Sequence, residues 1–170
     1  MMSRSRVVIS LLVIVAAIVL QTTVFAPGRI QPLGVAPALV TLAVIAISPH
    51  IESEYLLLVG FTAGILMDLI GGGTLGLWAM TLTVVAYAAS RFKVRFPDGP
   101  GFVAVTVIGI TVSSQLLYVL FGTLFGQGTI TEPRVLANVM IPGVWNLVLA
   151  VPAFWIIGKM LGSHQRGWAT

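Results

Sequence analysis

Charge is what this sequence has least of. Only 8% of its 170 residues are Asp, Glu, Lys or Arg and 58% are hydrophobic, whereas a soluble domain carries roughly 25% charged residues. A chain so poor in charge has too little polar surface to face water on all sides, so its outer solvent must be lipid. Cysteine is absent, which excludes disulfides, thiolate nucleophiles and cysteine-ligated metal while leaving the redox compartment open. Catalytic signatures are missing too: there is no Gly-x-Ser-x-Gly elbow, His-Glu-x-x-His, phosphate loop or dinucleotide fingerprint. The two histidines, His50 and His164, lie in different segments with no carboxylate at ligand spacing, so neither a metal nor another cofactor is expected. Nine basic residues give a net charge of +4. They are scattered between apolar runs rather than gathered into an aromatic-interleaved patch, which argues against nucleic acid as a partner.

What remains is a series of apolar runs bounded by charges and turn formers. About 20 residues cross the hydrocarbon, and the runs predict one all-α domain over 1–170 with six transmembrane helices at about 7–26, 34–49, 55–70, 74–90, 102–125 and 136–160. The second to fourth are short. Since Gly71-Gly72-Gly73 breaks helix and permits a tight turn, the third and fourth form either a full hairpin or a re-entrant pair. The first run resembles a signal peptide, but Ala26-Pro27 offers no small-x-small cleavage site, so it reads as a retained helix. Pro142 and Pro152 each remove a backbone donor and predict kinks in the last helix. With the N-terminus inside, Arg4, Arg6, Arg91, Lys93, Arg95, Lys159 and Arg166 fall on the inner face, and Arg29 and Arg134 on the outer. Seven against two is a positive-inside bias that makes both termini cytoplasmic. The Arg91-to-Arg95 run then reads as an anchor beside anionic lipid headgroups.

The most informative stretch runs from Gly60 to Gly76. Gly60, Gly64 and Asp68 stand at i, i+4 and i+8 and share one helix face, a small-residue stripe suited to close helix packing, either within the bundle or against a partner protein. Asp68 is the one carboxylate inside any predicted span, where a charge costs on the order of 3 kcal/mol. Counted from Tyr55, thirteen residues at about 1.5 Å each put it roughly 20 Å into the bilayer, toward the outer side. It is either a site residue with a charged partner or a helix-end carboxylate bonded to the following turn. Of the outer basic residues, Arg134 precedes Asn138 by four positions and can share its face, so Asp68 is expected to pair with Arg134 or bond to Asn138. The other polar residues in the spans are Gln21, Thr22, Thr23, Ser113, Ser114, Gln115, Asn138 and Asn146, whose default use is interhelical hydrogen bonding.

The pattern Gly60-Phe61-x-x-Gly64-x-x-x-Asp68-Leu69-Ile70-Gly71-x-x-Thr74-Leu75-Gly76, followed by Val85-Ala86-Tyr87, resembles the MreD family of rod-shape-determining membrane proteins. Leu20-Gln21, Pro37 and Asn146 are further points of likeness, and length and segment layout agree over the whole chain. Ala38 departs from the polar or acidic residue often found there, and Ser113-Ser114-Gln115 lacks the acidic group of some members. The resemblance implies a non-enzymatic subunit of the bacterial plasma membrane that binds the bitopic protein MreC. Its complex would include RodA, a class B penicillin-binding protein and MreB, and would organise peptidoglycan synthesis and cell shape. Gly60, Gly64, Asp68, Gly71, Gly76, Arg134 and Asn138 are the residues expected to serve partner binding or structure. The competing reading is a substrate-binding subunit of an energy-coupling-factor vitamin transporter, also a six-helix protein of this size, though the outer loops here offer few polar anchors.

Overall fold

The computed structural model describes residues 4–26, 29–71, 74–93 and 99–162. It is all-helical, with six helices in chain order: α1 (Arg4–Thr23), α2 (Leu39–Ile47), α3 (Ser53–Gly71), α4 (Leu77–Phe92), α5 (Pro100–Leu124) and α6 (Val135–Gly162). Four of them, α1, α3, α5 and α6, are long and apolar enough to cross a membrane. Gly72, Gly73, Arg95, His164 and Arg166, which carried part of the turn, charge and histidine arguments, lie outside the described residues.

Each long helix has an inner and a lipid-facing side. On α1, Ser10, Ile14, Ala17 and Ile18 are buried while Val8, Leu12, Val15 and Val19 are exposed. Both sets recur at helical spacing, so sidedness here comes from neighbouring helices and not from a switch between polar and apolar residues. The apolar exposed surface is what a lipid solvent permits.

The second element departs from expectation. A helix over 34–49 is predicted, yet α2 starts at Leu39 and has nine residues, about 13 Å of rise. Pro37 explains the late start: it lacks an N–H and pushes the residue before it out of the α region. Upstream, Pro32–Gly34 forms a 3-10 turn with Leu33 at φ 62 and Gly34 at φ 74, and residues 35–38 have no regular structure. Non-helical backbone is tolerated at membrane depth only where protein surrounds it. Val40 to Ile47 are all buried, so α2 is the centre of the bundle and not one of its walls.

α3 and α4 form a tight hairpin. With nineteen residues α3 rises about 28 Å, which favours the full hairpin over the re-entrant alternative. α4 returns beside it for about 24 Å over its sixteen residues. α6 runs as one helix through Pro142 and Pro152. Its Gly143 faces α5, since a Cβ there would lie 3.0 Å from Val112 Cγ2.

Candidate functional site

Two buried polar centres stand out. The first is Asp68, 4% exposed, in the last turn of α3. Its Oδ2 accepts hydrogen bonds from the N–H groups of Gly76 at 2.8 Å and Ala79 at 3.2 Å, and Oδ1 accepts from the N–H of Trp78 at 3.0 Å. These donors belong to the start of α4, where Gly76 is the N-cap with φ 98. First-turn N–H groups have no partner within their own helix, and the α4 dipole is positive there. Asp68 therefore caps α4 from another helix and fastens the hairpin at its turn. Gln127 adds a second fastening, donating from Nε2 to Thr74 Oγ1 at 2.8 Å. Trp78 stacks on Tyr118 of α5 with ring centroids 4.3 Å apart.

Gly60 and Gly64 explain how α4 comes close enough to be capped. A Cβ on Gly60 would lie 2.7 Å from both Ala86 Cβ and the Leu82 carbonyl oxygen, and one on Gly64 would fall onto the backbone of Trp78 and Ala79. The stripe faces α4. A Cβ on Gly71 meets nothing within 4 Å among the described residues, and the role of Gly76 is conformational, at a φ that L side chains rarely adopt.

The expected pairing of Asp68 with Arg134 or Asn138 is not what the structure has. The Arg134 guanidinium lies against Gly34, whose added Cβ would be 3.0 Å from Nη1. Asn138 donates from Nδ2 to Glu132 Oε2 at 3.4 Å. Backbone donors next to the carboxylate in sequence reach it first, and they need no second charge in the membrane. Exchanging the two charges, Asp68→Arg with Arg134→Asp, is accordingly expected to leave the double variant as defective as Asp68→Arg alone in a cell-shape complementation assay.

The second centre is the irregular entry into α2. Gln21 of α1 accepts from the Val40 N–H through Oε1 at 3.1 Å. Asn146 of α6, fully buried, donates from Nδ2 to the Ala38 carbonyl at 2.9 Å and to Thr111 Oγ1 of α5 at 3.0 Å. The broken end of α2 is thus held by α1 and α6, with α5 bonded in turn to Asn146. Asn146 Oδ1 is buried with no hydrogen-bond partner among the described residues. Gln21, Pro37 and Asn146 stand far apart in sequence, and no pattern in it shows that Gln21 and Asn146 bond to the backbone just after Pro37. The available signal was Pro37, which predicts free backbone groups inside a span that polar side chains must satisfy.

Asn146→Leu removes both donated bonds but leaves Ala38 its intrahelical partner, the Leu42 N–H at 3.0 Å. A loss of about 1–2 kcal/mol is expected. Asn146→Asp sets an acceptor against the Ala38 carbonyl and is expected to cost more. Thermal unfolding of the detergent-solubilised variants checks the order.

The family profile described as rod shape-determining protein MreD matches residues 1–160. The chain belongs to the MreD family. Comparison with curated proteins and with solved structures returns no match. As an MreD, the chain is a multi-pass membrane protein that determines rod shape. Both polar centres fall within the matched region, and the MreD-like residues sort into two groups by location. The Gly60-to-Gly76 pattern builds the α3–α4 clamp, whereas Gln21, Pro37 and Asn146 build the entry into α2.

Proposed function

We propose that this MreD acts without catalysis, as a subunit of the cell-elongation complex that binds MreC through its lipid-facing helix surfaces, with both termini cytoplasmic. RodA, a class B penicillin-binding protein and MreB belong to the same assembly in this reading. The observation that carries it is the use of Asp68: its carboxylate oxygens are engaged by three backbone N–H groups. The one carboxylate inside the spans predicted from the sequence is thereby committed to holding the scaffold together, which leaves large apolar faces as the means of engaging partners.

Photo-crosslinkers placed in cells at exposed positions such as Leu58, Phe61, Leu116 and Val148 test the reading. Adducts with MreC from one of these faces, with only intramolecular adducts from Gly60 and Gly64, are the expected result. A vitamin retained through purification, with no MreC adduct from any face, would overturn it in favour of a transporter subunit.

A further inference from the structure

We propose that the groove between α1, α2 and α6 is a binding site for an anionic phospholipid, which lays one acyl chain along the groove and sets its phosphate between Arg6 and Lys159. The groove holds about 370 Å³, within the range of small-ligand sites. It opens where small side chains, Ala16 and Ala17 on α1, Ala43 on α2 and Ala153 on α6, leave room that larger residues would fill. Every lining side chain is Leu, Val, Ile, Ala, Pro or Met, so a ligand with buried polar groups would find nothing to bond to, while a hydrocarbon chain needs nothing.

Charge at one end selects the headgroup. Arg6 is seven and eleven residues before the groove residues Val13 and Ala17, close to whole numbers of turns, so it extends the same face of α1 toward the N-terminus. Lys159 stands three residues from Ile156 and next to Met160, both in the lining. It is exposed on α6, with Nζ 5.2 Å from the Trp155 ring centroid. By helical register, Arg6 continues the α1 wall of the slot and Lys159 adjoins its α6 wall, a placement complementary to a phosphate carrying acyl chains. The groove between α4 and α5, of about 400 Å³, differs in having Thr106, Ser113 and Ser114 in its wall, and Arg91 beside it already donates to the Tyr87 hydroxyl at 2.9 Å.

The test is lipid-dependent thermal stabilisation and native mass spectrometry of the full chain in detergent, with phosphatidylglycerol or phosphatidylcholine added. Phosphatidylglycerol is expected to bind more tightly, and Arg6→Gln with Lys159→Gln to erase that preference, a loss of roughly 25-fold at about fivefold per cation. Ala16→Trp, a change at an exposed position, is expected to weaken both lipids while helical content stays unchanged. Equal binding of the two lipids, or a preference that survives the double substitution, overturns the proposal. So does an Ala16→Trp variant that keeps lipid binding but loses a co-purifying membrane protein, which would make the groove a seat for a partner helix. None of these readouts depends on MreC, so the proposal stands or falls separately from the function proposed above.

Discussion

Asp68→Ala is expected to destabilise the protein by about 4 kcal/mol, enough to deplete it from the membrane and turn rod-shaped cells round. The figure follows from what is left behind. Gly76, Trp78 and Ala79 lose their acceptor together; an unsatisfied donor costs about 1–3 kcal/mol when buried, as at Ala79, and less where it is part-buried, as at Gly76 and Trp78. Lipid offers no hydrogen-bonding groups of its own to replace the lost acceptor. The favourable placement of a negative group at the start of α4 disappears as well. Asp68→Asn separates these effects. With its oxygen in the Oδ2 position, the amide keeps the bonds from Gly76 and Ala79 and turns an NH2 toward the Trp78 N–H, for an expected loss of about 2 kcal/mol. Asp68→Glu keeps the charge but adds a methylene between α3 and the turn, and should resemble Asn more than Ala. Unfolding midpoints in detergent and steady-state levels in membranes should both follow the order wild type, Asn, Ala. An alanine variant with the wild-type midpoint would mean that the clamp does not hold the hairpin.

What could be read in advance divides along the physics. Hydropathy over about 20 residues reports which segments lipid accepts, so the ends of α1, α3, α5 and α6 fall within a few residues of expectation. It does not report backbone conformation. The stretch 34–38 is apolar enough to continue a helix, and only the geometry of Pro37 denies it. Asp68 could be singled out because a carboxylate among apolar residues is costly wherever it sits. Its partners were another matter: backbone N–H groups have no letter in a sequence, and a search for charge could return only Arg29 and Arg134. The meeting of Asn146 with Ala38 spans 108 positions and depends on how α6 packs against α2, which local pattern does not encode.

The Gly60–Gly64 stripe yields the second large effect. Gly64→Ala is expected to cost about 3 kcal/mol, at the upper end for a small-to-large change at a packed contact, because the obstruction is backbone. The new Cβ would fall onto Ala79 Cα and the Trp78 carbonyl oxygen and lie 2.5 Å from the Ala79 nitrogen, and none of these atoms has a rotamer to escape into. The first turn of α4 would have to move away from α3. Trp78 and Ala79 are also donors to Asp68, so the steric defect at Gly64 becomes a hydrogen-bonding defect at Asp68. This coupling sets the result apart from a simple packing loss. Gly64→Ala combined with Asp68→Ala should be less damaging than the sum of the two by at least about 1 kcal/mol, the scale of coupling between contacting sites. Gly60→Ala meets Ala86 Cβ and the Leu82 carbonyl oxygen at 2.7 Å, one turn farther from the clamp, and should cost less and add independently to Asp68→Ala. Gly71→Ala, at the end of α3 with nothing among the described residues within 4 Å of its Cβ, should be close to neutral. Strict additivity of the Gly64 and Asp68 substitutions would show that the glycine and the carboxylate act on separate parts of the hairpin, and that close approach is not what brings the α4 donors to Asp68.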